Sequence, residues 1–280
     1  MREFEGRVAV ITGAGSGLGA ALAHVLAREG MAIAALDIDE ATAEATASSV
    51  TRQAGRAISR RVDVADEASL EDAARHVGDE LGGCALLCAN VGVQQFGALE
   101  RLTTDDWRWV LSVNVVGMIQ TVAAFLPLLR EANADAHILL TASSGVFTPG
   151  VRLGAYAASK YAVVGYGEAL KLELEPEGIH VSMLFPAGMA TRHLESSALA
   201  RPSELGPAIT RPDDIEAMLA SREYDAAADV VAPEVAVERL VQELRDNQPY
   251  IFTHGRYRDT LVRRGRELLA AYDRMASETT

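Results

Sequence analysis

Lysine is nearly absent from this sequence. Lys160 and Lys171 are the only two among 26 basic residues, and arginine supplies the rest, which makes the setting of each informative. Cysteine is as scarce. Cys84 and Cys88 share one apolar run without zinc-ligand spacing, and the expectation is two buried, reduced thiols on one face of a strand. No metal site is expected. A formal net charge of −13 and a pI near 4.9 argue against nucleic acid or an anionic membrane as partner. Proline occurs nine times and no linker-like stretch appears, so residues 1–280 read as a single domain with a full core. The opening residues have no signal-peptide pattern, and a cytoplasmic protein is expected. One run, Val110–Leu129, approaches the length of a membrane span. Ser112, Asn114, Gln120 and Pro127 interrupt it, and a helix buried on several sides explains it better.

What is present is alternation. Short apolar runs near 7–12, 32–36, 57–62, 84–89, 137–142, 180–185 and 250–253 are separated by helical patterns near 20–29, 40–53, 67–81, 105–131, 156–175 and 233–247, with a terminal helix after the last. Apolar strands divided by helices define an α/β fold, a doubly wound parallel sheet of about seven strands with ligands at the strand carboxyl ends. The first strand runs into Gly13-Ala14-Gly15-Ser16-Gly17-Leu18-Gly19 and then a helix. Glycines there let the backbone approach a pyrophosphate, and the free amides of the helix N-terminus favour its charge. The second strand ends at Asp37, where a dinucleotide-binding unit places an acid on the adenosine ribose. Its carboxylate repels a 2′-phosphate, and neither Ser16 nor Ile38 brings a cation, so NAD is expected over NADP. An ordinary strand-end aspartate is the competing reading.

Tyr156 and Lys160 are four residues apart in a helical stretch, hence on one face. A free tyrosine, with a pKa of about 10, is a poor base near neutrality, but a nearby cation favours its phenolate. Tyr156 can then exchange a proton with an alcohol or ketone. A surface pair is the bland alternative, and the scarcity of lysine weighs against it. A compact ammonium reaches ribose hydroxyls and a phenol together, where a planar guanidinium fits differently. Lys171 reads as a solvated helix residue. Asn114, inside an apolar run, needs hydrogen-bond partners for its amide whatever its role.

Taken together these residues resemble the short-chain dehydrogenase/reductase family over residues 6–191. The resemblance implies a Rossmann fold and nicotinamide-dependent oxidoreduction of a secondary alcohol or ketone. It assigns the cofactor to Gly13, Ser16, Gly17, Leu18, Gly19 and Asp37, to Asp63 and Val64, and to Asn90 and Gly92. Tyr156, Lys160, Pro186, Gly188, Met189 and Thr191 complete that set. It carries the catalytic tetrad over as Asn114, Ser143, Tyr156 and Lys160. Ala89 and Ala187 depart from the family pattern. Asn114 would hold a water that links Lys160 to solvent, a satisfied core asparagine being the alternative. Ser143, selected over Ser144 by its spacing from Tyr156, would hydrogen-bond the substrate oxygen.

After Thr191 come roughly forty residues of weak regularity, long for a connection inside a domain. Residues 192–232 are expected to form a substrate lid, and residues 233–280 a closing helix-strand-helix unit. The lid's Leu194, Leu199, Leu205, Ile209, Met218, Leu219 and Tyr224, with Met189, would cover a bulky hydrophobic alcohol, aromatic or polycyclic. Phe96, Val146 and Phe147 would line the opposite wall. His193 beside the lid reads as an exposed loop histidine that could touch substrate, and the other histidines form no pattern. A subgroup resemblance to bacterial Cα-dehydrogenases of aryl ethers supports an aromatic substrate. Small residues along 156–175 permit close helix packing, and the resemblance implies a homodimer or homotetramer through this helix and 105–131. Two rival functions are a non-catalytic dinucleotide sensor and an epimerase or dehydratase. The first typically lacks the tyrosine, lysine or serine, and the second usually has a larger C-terminal domain.

Overall fold

Strand alternation decides which helices lie on which face. In β1 (Val8–Thr12), Val8 and Val10 join one core layer while Ala9 and Ile11 join the other. The same division runs through β2 (Ala32–Asp37), β5 (His137–Thr141) and β6 (His180–Phe185). Apolar on both faces, these strands require helices on both sides. One layer packs α3 (Glu67–Leu81), α5 (Gly117–Glu131) and α6 (Gly154–Leu174) on the sheet. The other packs α1 (Gly17–Arg28) and α2 (Glu40–Arg52). The computed structural model describes residues 1–53, 55–132, 135–148, 150–207, 209–221 and 229–277.

With β3 (Ala57–Arg61), β4 (Leu86–Ala89) and β9 (Tyr250–Phe252), the sheet has seven parallel strands in the order β3-β2-β1-β4-β5-β6-β9. The chain winds outward from β1 to β3 and returns to pair β4 against β1, with Ala9 opposite Leu86. A crevice opens where the winding reverses, beyond the carboxyl ends of β1 and β4. The expected Rossmann-type α/β architecture is therefore the one observed.

Two local details differ from expectation. Cys84 and Cys88 are free and buried but lie in opposite core layers. The strand begins only at Leu86, after Gly82 and Gly83 turn the chain at positive φ, so strand alternation does not reach back to Cys84. Burial pushes both thiols far up, which leaves them inert. The 233–247 helix is two short pieces, α9 (Pro233–Ala236) and α10 (Leu240–Arg245), joined by turns.

The apolar 110–129 run belongs to one long helix in three parts. These are α4 (Thr104–Leu111), a π-helical turn over Ser112–Val116, and α5. By length and composition Thr104–Glu131 could span a membrane, yet Met118, Val122, Phe125 and Leu129 sit in the sheet's core layer. Val64 presses so closely on Gly117 that a β-carbon there would overlap it.

Residues 192–232, expected to form a lid, are more regular than their sequence suggests. They contain α7 (His193–Leu199) and α8 (Pro212–Ala220), and Val230–Val231 (β8) pairs with Gly188–Met189 (β7). Tyr224 lies outside the described residues. Leu205 and Ile209 pack on a third cluster with Trp109 and Val110 instead of facing the crevice, and Leu199 points outward. Two buried carboxylates fasten this segment. Asp106 meets Arg201 at 2.6 Å, with Arg201 also stacked on Trp109. Asp214 pairs with Arg101 and Arg152. Burial alone would raise the Asp106 carboxyl, but hydrogen bonds from Thr103 and Arg201 outweigh it and hold it below the usual range.

Removing one partner of such a pair strands the other charge in the interior. Arg201→Met should therefore destabilise the protein by about 3–5 kcal/mol, read as a lower urea midpoint. Adding Asp106→Leu removes the stranded charge but also the carboxylate of the α4 capping box, and should recover only part of that loss.

Candidate active site

The carboxyl ends of the strands deliver nearly every predicted site residue to one cavity of about 1330 Å³. Gly13, Ser16, Gly17, Leu18 and Gly19 line it from the β1–α1 turn, Asp37 from β2, and Asp63 and Val64 from the end of β3. Asn90 and Gly92 follow β4, and Ser143 follows β5. Tyr156 and Lys160 reach it from α6, and Pro186, Gly188, Met189 and Thr191 from the segment after β6.

The β1–α1 turn has the shape of an anion cradle. Ser16 stands before α1 in extended conformation with no side-chain cap, and the first turn carries no acidic residue. The helix amides thus remain available to a phosphate. A β-carbon on Gly19 would overlap the Gly13 carbonyl oxygen, so only glycine permits this closure. At the far end, Asp37 accepts from the backbone N–H of Gly15 at 2.8 Å and of Asp39 at 3.1 Å. A carboxylate has about four acceptor sites, which leaves capacity for ribose hydroxyls. Burial raises the Asp37 carboxyl from its ordinary value, and those two N–H groups partly offset the rise. The turn and Asp37 fit the phosphates and ribose of a dinucleotide.

Asn90 joins three strand ends. Its N–H donates to Thr12 Oγ1 at 3.0 Å, its side-chain amide donates to the Thr12 carbonyl at 3.2 Å, and its Oδ1 accepts from Thr141 Oγ1 at 3.1 Å. Thr141 in turn positions Lys160. Lys160 is 3% exposed, and its ammonium donates to the Thr141 carbonyl at 2.8 Å. Burial lowers its pKa to about 8. Among the described residues the Thr141 carbonyl takes one of its three donors, which leaves two for a ligand. Gly92 makes room for it, since a β-carbon there would lie 3.2 Å from Nζ. The ammonium stands 5.8 Å from the centroid of the Tyr156 ring. Ser143 Oγ accepts from the Gly145 N–H at 3.0 Å, so its own proton is left to donate.

Asn114 is enclosed and does not line the cavity. The π turn swings its amide toward the loop after Gly92. Oδ1 accepts from Val93 N–H at 2.7 Å, and Nδ2 donates to the Val93 carbonyl at 2.8 Å and to Ser159 Oγ at 2.9 Å. Its side-chain amide is thus paired within the core and couples the active-site loop to α6. Val146 is a correction. It is buried in a core layer, absent from the cavity wall, and its carbonyl accepts from Tyr161 and Arg264. The short 3₁₀ turn that follows Ser143 points it inward, while Phe147 and, across the cavity, Phe96 do line the wall.

Sequence reasoning missed several residues here. Trp109, Leu153 and Gln94 line the cavity, as do Tyr257 and Thr260 at the start of α11 (Arg258–Ser277). His254 donates from Nε2 to the Gly188 carbonyl at 2.9 Å, tying β7 to the C-terminal segment. His193, read from the sequence as an exposed loop histidine that could touch substrate, is half-buried and lines the cavity, its ring centroid 6.4 Å from that of Tyr156. No local pattern announces these residues, because long-range packing brings them in.

Residues 7–201 match the family model for short chain dehydrogenases, and the chain belongs to that family. It is 28% identical to the C alpha-dehydrogenase of Sphingobium sp. strain NBRC 103272 / SYK-6, over 99% of this chain and 90% of that protein. It is 29% identical to a CLA biosynthesis dehydrogenase/reductase of Lactiplantibacillus plantarum, over 92% of this chain and 91% of the relative. Among solved structures, a short chain dehydrogenase/reductase from Burkholderia phymatum in complex with NAD superimposes with a TM-score of 0.81. That pair shares 32% identity over 91% of each chain.

Gly19→Ala should push the β1–α1 turn apart. NADH affinity, read by fluorescence titration, should fall at least about tenfold, with overpacking costing roughly 1–3 kcal/mol in stability.

Proposed function

We propose that this dehydrogenase interconverts a bulky, largely apolar secondary alcohol and its ketone with NAD(H). The observation that carries the reading is the buried Lys160 ammonium beside Tyr156, with Ser143 opening on the same cavity. A cation so placed favours the ionised phenol. In the oxidative direction the Tyr156 oxygen accepts the hydroxyl proton while the Ser143 hydroxyl donates a hydrogen bond to the substrate oxygen. When bound, the nicotinamide supplies the acceptor for the carbon-bound hydrogen. Lys160 has donors left for the ribose hydroxyls, and Asn114 keeps the loop carrying Gly92 and Val93 in register with α6.

Substrate bulk is supported by the wall. Phe96, Trp109, Phe147 and Leu153, together with Leu194, Met218 and Leu219 of residues 192–232, line the cavity. The C alpha-dehydrogenase relative, matched along nearly its whole length, fits this reading. NAD over NADP rests on Asp37, with no cationic side chain lining its end of the cavity among the described residues. Self-association through α5 and α6 rests on their exposed apolar residues, Ile119, Tyr161 and Leu172.

Two measurements test the reading. Tyr156→Phe should lower turnover of aryl carbinols by roughly 10²–10⁴-fold, followed as NADH absorbance, with NADH still bound; undiminished turnover defeats the assignment. Asp37→Ala should shift the kcat/KM ratio of NAD over NADP toward NADP by about ten- to a hundredfold.

A further inference from the structure

Among the polar side chains that line the cavity, His193 stands beside Tyr156 and has no task in the proposed mechanism. His193 opens α7, and its ring stands edge-on to Tyr156, 6.4 Å between centroids at 64°. Its backbone is held. The His193 carbonyl accepts from Ser197 Oγ at 2.7 Å and from Ser196 Oγ at 3.2 Å, and Ser197 Oγ accepts from the Gln94 N–H at 3.1 Å. That bridge fixes α7 to the loop that Asn114 also holds, so the imidazole keeps its place relative to the phenol. Neither ring nitrogen has a hydrogen-bond partner among the described residues. Both ring nitrogens of His254, by contrast, are engaged.

We propose that His193 is a specificity-determining residue whose imidazole hydrogen-bonds a second oxygen of the substrate, on the carbon next to the reacting carbinol. This deepens the dehydrogenase reading and rests on it. The site thereby selects vicinally oxygenated secondary alcohols, such as diols, α-hydroxy ketones and β-ethers, over their plain hydrocarbon counterparts. Three observations converge on this class. The imidazole abuts the same phenol that takes the carbinol proton, so the group it meets sits on a neighbouring carbon. The half-buried ring shares the cavity wall with the apolar Phe96, Trp109, Phe147 and Leu153, and its nitrogens are left to a substrate oxygen. Burial, and to a smaller extent the Lys160 ammonium, lowers the imidazole pKa to about 4. The neutral ring thus offers one donor and one acceptor, suited to a neutral oxygen.

The test uses a pair matched in bulk, hydrobenzoin and 1,2-diphenylethanol, which differ by the second hydroxyl. The wild-type enzyme should favour hydrobenzoin in kcat/KM, and His193→Phe should collapse that preference by about 10- to 100-fold. His193→Gln, which keeps a donor and an acceptor, should restore part of it. A preference that survives in His193→Phe, or that falls equally in His193→Gln, overturns the proposal. Binding of benzoin and deoxybenzoin to the NADH-loaded enzyme, measured by calorimetry, provides a readout independent of turnover. Should neither alcohol be oxidised, the dehydrogenase reading fails by itself. Tighter binding of benzoin that His193→Phe erases would still support the subsite, and equal affinities would overturn it.

Discussion

A single buried cation organises the functional half of this molecule. An ammonium taken out of water is costly unless it is hydrogen-bonded, and the Lys160 ammonium rests on the Thr141 carbonyl at the end of β5. Thr141 is bonded to Asn90 after β4, and Asn90 to Thr12 at the end of β1. Three central strand ends are thereby locked to one another and to α6. Glycine at 92 leaves the space the ammonium fills, and the π turn brings Asn114 to hold the loop beside it. A chain that otherwise uses arginine for positive charge spends one of its two lysines here, because a planar guanidinium would not fit the same pocket.

Residues 192–232 follow the opposite rule. They are fastened by arginines, whose forked donors suit the buried carboxylates Asp106 and Asp214. Asp106 also caps α4, so one side chain starts the helix that leads to Asn114 and anchors the segment that covers the cavity. Substrate wall and catalytic scaffold therefore share a support. The short bridge from Gln94 through Ser197 to His193 is a second such support.

Much of the site was legible in the sequence because its parts are local. A strand, a glycine turn and a helix start can be read from a dozen consecutive residues, and an i to i+4 pair from five. Asp37 was legible from its place at a strand's carboxyl end, and Asp63, Asn90 and Pro186 through the family resemblance. What failed were inferences that extended a local rule past an element's end. Cys84 left the expected face because two glycines precede the strand, and Val146 turned inward on a 3₁₀ turn.

The sequence by itself determined the doubly wound sheet, the cradle at Gly13–Gly19, and the tyrosine, lysine and serine that share the cavity. The sheet, the cradle and the Tyr156–Lys160 pair follow from hydrophobic period or from spacing within one or two elements, and the serine from the family resemblance. Only the tertiary structure decided that Asn114 is enclosed and satisfied, that Leu205 and Ile209 pack away from the cavity, and that His193 faces Tyr156. Those outcomes depend on contacts between segments remote in the chain, such as Arg201 with Asp106 and Ser197 with Gln94. Such contacts carry no periodic signal, since what selects them is the complementarity of surfaces that exist only once the sheet and its helices are assembled.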